Sequence, residues 1–159
     1  AGNCYDTLCK TLRNEDKSDI FILITQSNWF WIWILGINDT STVTSTCNAA
    51  QGNRGLLDFK DPVYVHVGLI TDSSINPQQW RYIKFKWGST EEAALASPAG
   101  NNKWTYKIPS IRNFFAVPEN ERIQNLCILF REGNCIDTFC KVLRNADKSD
   151  ILIPIAANN

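Results

Sequence analysis

The sequence predicts an all-β fold, an antiparallel sandwich of two sheets with an N-terminal strand extension. Three observations lead there. Short alternating or β-branched runs recur at steady spacing with turn residues between them. Helical patterning is confined to one short stretch. Six cysteines occur with no Cys-x-x-Cys pair and a single histidine, the usage of a disulfide-stapled module in an oxidising compartment rather than of a zinc site. At 159 residues the chain fills one hydrophobic core and is short for two.

The first element is a repeat. Residues 2–22 recur as residues 133–153 at a constant offset of 131, with 16 of 21 positions identical. Each copy has three parts: a Cys-x-x-x-x-Cys loop, a polar stretch Arg-Asn-x-Asp-Lys-Ser-Asp, and a β-branched run. The polar stretch is turn material, because its side chains bond their own backbone, and the isoleucine-rich run is a strand. Three origins are open: one period of a tandem array, a decoy copy of the chain's own C-terminal strand, or inert ancestry. The first two share a consequence, since a strand that fits one slot in a sandwich fits the same slot in the next copy. The repeat makes Cys4 with Cys9 and Cys135 with Cys140 the economical local disulfides, leaving Cys47 and Cys127 to bridge two distant strands. The parity of Cys127, between Leu126 and Ile128, lets it face either way.

Within the N-terminal arm, residues 1–42, the run Asn28-Trp29-Phe30-Trp31-Ile32-Trp33-Ile34-Leu35 is apolar on both strand faces. It is too short to span a bilayer, which needs about 20 residues. As a strand it must be covered on both sides, and left bare it is an aggregation hazard. A neighbouring module covering it, its insertion into that neighbour as a donor strand, and a central position in its own domain are the three ways out. The chain opens Ala-Gly-Asn-Cys with no basic and apolar leader, as expected of a mature secreted form.

The sandwich is expected over residues 43–159. Strands are predicted at 43–47, at 63–67 with three valines on one face, at 80–87, 103–108, 123–131 and 151–155, and one helical turn around 110–117 before Pro118.

The order Asn48-Ala49-Ala50-Gln51-Gly52-Asn53-Arg54-Gly55-Leu56, Val63-Tyr64-Val65-His66-Val67-Gly68-Leu69-Ile70-Thr71, Trp80-Arg81-Tyr82-Ile83-Lys84, Pro109-Ser110-Ile111-Arg112-Asn113-Phe114-Phe115-Ala116-Val117-Pro118 and Leu129-Phe130-Arg131 resembles a family of bacterial secreted immunoglobulin-like domains. The likeness covers residues 43–131 well and reaches the closing strand at 155. It implies an immunoglobulin-like sandwich and, as in that family, a place beside amylase-type catalytic domains on glycan-degrading surface proteins. Here an insertion carrying Cys135 and Cys140 separates Phe130-Arg131 from Arg144-Asn145-Ala146-Asp147, and residues 1–42 have no counterpart in the family.

Catalysis is not expected. A lone His66 in a strand reads as structural, and the neighbours Glu91 and Glu92 cannot face each other across a cleft as glycosidase carboxylates do. No serine sits in a Gly-x-Ser-x-Gly elbow, and Gly52-Asn53-Arg54-Gly55 is too short to cradle phosphate. No metal or other cofactor is expected. Lysine plus arginine balances aspartate plus glutamate at 16 each, so no field gathers nucleic acid or an anionic membrane. Trp80, Tyr82, Trp87, Trp104 and Tyr106 could stack on sugars, but bulk filling of the core is the plainer use; Trp87, beside Gly88, is the best of them for a ligand. Asn38-Asp39-Thr40 fits the N-glycan acceptor pattern, and Thr7 and Thr138 sit in Asp-Thr-apolar patterns that resemble bacterial O-glycan acceptors.

The expectation is an extracellular or cell-surface homopolymer. Its assembly interface is drawn from Ile20, Ile22, Ile24, Trp29, Trp31 and Trp33, with the arm of one subunit on the sandwich of the next. Such a heterologous contact propagates into a filament unless it closes into a ring. A carbohydrate-binding module of a glycan-utilisation system is the alternative, and a covalent tandem-repeat stalk a third reading.

Overall fold

A computed structural model describes residues 37–136 and 139–157. They form the expected all-β antiparallel sandwich. One sheet holds β1 (Val43–Asn48), β4 (Lys103–Ile108) and β3 (Ser97–Pro98) in the order β1-β4-β3. The other holds β2 (Val63–Thr71), β5 (Ile123–Glu132) and, on the far side of β5, β6 (Val142–Leu143) and β7 (Ile151–Pro154).

The core lies between the sheets, filled by alternate residues: Val43 and Cys47 of β1, Trp104, Tyr106 and Ile108 of β4, Val63, Val65, Val67 and Leu69 of β2, Leu126, Ile128 and Phe130 of β5, and Ile151 and Ile153 of β7. Three valines of β2 therefore share one face, as their spacing requires. The two sheets differ outside. The first turns Thr44, Thr46, Lys103, Thr105 and Lys107 to water or half-exposure, the alternation of a sheet solvated on one side. The second is buried on both faces: His66, Ile70, Cys127, Leu129 and Arg131, on its outer side, are all buried.

What covers that outer face is the segment predicted as a strand at 80–87. It is not one. Tyr82 takes φ 51 and Gly88 φ 78, left-handed conformations that break an extended run, and residues 72–90 cross the sheet as an irregular strap. The strap still bonds the free edge of β2: Leu69 and Arg81 exchange both backbone bonds, at 2.8 and 2.7 Å, and Lys84 N–H donates to the Val67 carbonyl at 3.0 Å. Its apolar side chains go to different places: Trp80 and Trp87 lie against His66 on the outer face, Phe85 enters the main core beside Tyr106 and Phe114, and Ile83 is half-exposed. Glu121 anchors the strap, accepting from Thr71, Tyr82 and Arg81.

The helical turn is α1 (Ile111–Phe115), which buries Ile111 and Phe115 and stops at Ala116 in the left-handed region, φ 54. A 3-10 turn at Glu92–Ala94 leads into β3. Neither β3 nor β6 was expected, and at two residues each they are too short to leave a pattern in sequence.

Candidate functional site

In the C-terminal copy of the repeat, all three parts can be placed. Cys135 and Cys140 are disulfide-bonded, their Cα atoms 4.9 Å apart, and the loop they close exposes Ile136 and Phe139, at 76% and 93%. The polar stretch is a side excursion of one edge strand, not a reversal: β6 and β7 lie end to end along β5, opposite Phe130–Arg131 and Asn125–Ile128. Asn145 N–H donates to the Ser149 carbonyl at 3.1 Å, the Asn145 amide donates to the Asp150 carbonyl at 2.9 Å, and Arg144 pairs with Asp150. The β-branched run is β7, whose Ile151 and Ile153 enter the core, followed there by Ile155, while Pro154 is exposed.

The interface residues Ile20, Ile22, Ile24, Trp29, Trp31 and Trp33 lie outside the described residues, as do Cys4, Cys9, Thr7 and Thr138. By sequence, Ile20, Ile22 and Ile24 correspond to Ile151, Ile153 and Ile155, the row that β7 and the residue after it turn inward.

The expected bridge between Cys47 and Cys127 is not formed; both thiols are free and buried. Parity decides it. Cys47 points into the core from β1, whereas Cys127 alternates with the inward residues Leu126 and Ile128 and lies on the outer face of the other sheet, opposite Gly68. Burial pushes the Cys47 thiol up to about 12 and raises the Cys127 thiol too, against smaller backbone bonds that favour the thiolate.

Trp87 is half-buried and already engaged. Its ring meets His66 edge-on at 5.0 Å and carries the guanidinium of Arg131 at 5.6 Å. His66 also stacks on Trp80 at 5.5 Å. Burial first, and the charge of Arg131 second, hold His66 below its ordinary value. Arg131 is fully buried, donates to the Glu132 and Ser89 carbonyls at 2.8 and 2.6 Å, and has no carboxylate partner among the described residues. The cluster fastens the strap and the disulfide loop to the sheet. Trp104 and Tyr106 are core residues, and Asn38 spends its side-chain oxygen on Thr40 and Ser41 in a turn.

The segment Gly52-Asn53-Arg54-Gly55, read only as too short for phosphate, clasps β6. Asn53 donates from Nδ2 to the Val142 carbonyl at 2.9 Å and accepts from Arg144 N–H at 3.0 Å, and its own N–H reaches the Arg144 carbonyl at 3.1 Å. Sequence reasoning had no signal for this beyond the two glycines.

The chain matches no protein-family model and no curated protein.

Proposed function

We propose that this chain is the structural subunit of an extracellular bacterial filament, assembled head to tail when the N-terminal arm of one subunit packs on or complements the sandwich of the next. One observation carries the reading: the arm holds a second copy of the strand that closes this sandwich. β7 fills its slot with inward isoleucines, so in every subunit the matching run at 20–24 is surplus to that slot, and a strand proven in one copy of a fold suits another copy. The Trp29, Trp31 and Trp33 strip adds apolar area that assembly would remove from water. The Cys135–Cys140 disulfide accords with an oxidising, extracellular setting. Light scattering and negative-stain imaging of the purified chain test the proposal. Full-length protein should form long particles, and a variant lacking residues 1–36 should stay monomeric while keeping its thermal transition. Polymers of the truncated protein would sink it.

A further inference from the structure

We infer that the outer edge of β1 is the acceptor, and that residues 20–24 of a second copy are the strand it receives; this rests on the assembly reading above and names the two surfaces that meet.

Every other sheet edge among the described residues is blunted. The edge of β2 is bonded by the strap at Leu69 and Val67 and by Ala96 N–H at the Val63 carbonyl. That of β6 is occupied by Asn53. In β7 the bond from Ile155 N–H to the Gln124 carbonyl sets the parity: residues 151, 153 and 155 face β5, and 152, 154 and 156 face outward. Position 154 is proline, with no N–H to offer, and Ala156 N–H is taken by the Ile37 carbonyl of the same chain at 2.7 Å. β3 follows the same rule. Ala99 N–H bonds the Lys103 carbonyl, so Pro98 is the outward residue. Prolines at outward positions of edge strands are a known protection against pairing.

β1 has no such device. Ala49 N–H bonds the Asn102 carbonyl, which turns the backbone of Cys47, Ser45 and Val43 toward β4 and that of Thr44 and Thr46 outward. Among the described residues Thr44 and Thr46 have no backbone partner on that side, and the strand runs six residues in even register without bulge or proline. Its inward side chains, Val43, Ser45 and Cys47, are fully buried. The core therefore reaches this edge, and an added strand would lay an alternate apolar row against its margin.

The occupant follows from comparing the copies. Ile20, Ile22 and Ile24 repeat the inward row of β7, but position 23 is leucine where β7 has Pro154. The duplicate regains the amide that β7 lacks, so every residue whose backbone turns toward a new partner has an N–H to donate. One donor and one acceptor edge per subunit, on different parts of the molecule, give the open head-to-tail contact of a fibre.

The test places a photo-crosslinking phenylalanine analogue at Phe21 of the full-length chain, polymerised from a mixture of light and heavy-isotope subunits, with the joined peptides read by mass spectrometry. A crosslink to residues 43–48 of the other isotope is expected. A crosslink to β5 or β7, or to β1 of the same molecule, in a preparation that polymerises, overturns this inference and leaves the filament reading standing; a chain that never polymerises removes both. In parallel, Thr46→Pro deletes an outward amide without touching the β1–β4 ladder, and the concentration needed for polymerisation should rise about tenfold or more. A folded Thr46→Pro variant that polymerises like wild type overturns the inference, and if that variant fails to fold the crosslink decides alone.

Discussion

At the scale of single residues, close approach decides more than chemistry does. A Cβ on Gly55 would overlap the Val142 carbonyl oxygen, a backbone atom of β6 that cannot step aside. Gly55→Ala should therefore destabilise the fold by about 3 kcal/mol, and Asn53→Ala, which strips the clasp of its side-chain bonds, by about 2 kcal/mol, both measured by denaturant unfolding. His66 supplies the pH dependence. Its depressed pKa means that the unfolded chain takes up a proton from about pH 6.5 downward while the folded chain refuses it. Stability contributed by neutral His66 is complete above that value and is lost as pH falls below it, so wild type should weaken between pH 7 and 5 more steeply than His66→Phe. The sequence announced His66 as structural, but not its tryptophan neighbours, because stacking across 14 and 21 positions of chain leaves no periodic trace.

Among elements, those that alternate over a full strand length could be read directly: β1, β2, β4, β5 and β7 all lie where their patterns put them. Segment 80–87 alternates as well and is no strand, since its aromatic side chains serve two places, Trp80 and Trp87 at His66 and Phe85 in the main core, and the turn that breaks it depends on Tyr82, a residue with no turn signature. The cysteine pairing divides the same way. A pair five residues apart is fixed by local chain geometry, whereas Cys47 and Cys127 depend on which face of β5 looks inward, a matter of one residue in register. Being deeply buried, with Cys47 raised to about 12, both thiols should resist iodoacetamide at pH 8 in the native chain and react fully in denaturant, as peptide mass mapping would record.

For the molecule as a whole, the length supported a single core and the spaced alternating runs supplied the sandwich. Its asymmetry could not be read in advance, because it arises from residues 72–90 folding over one sheet and leaving the other wet. That asymmetry has a measurable side: the covered sheet should exchange its amide hydrogens late and β1 early in an isolated subunit. In a polymer, Thr44 and Thr46 should become the positions with the largest gain in protection.

The closeness of two points in the fold has a mechanical consequence. Ile37, within the arm and bonded to Ala156 N–H through its carbonyl, lies only six residues before Val43, the start of the edge proposed to grip the preceding subunit. Tension handed along such a fibre would enter a subunit at β1 and leave at Ile37, crossing the short stretch 38–42. That short tendon is riveted at Asp39 by Arg112, with nitrogens 2.6 and 2.7 Å away. The hydrophobic interior would then sit beside the line of force, so a stretched strand could yield and re-form its junctions without unravelling the modules it joins.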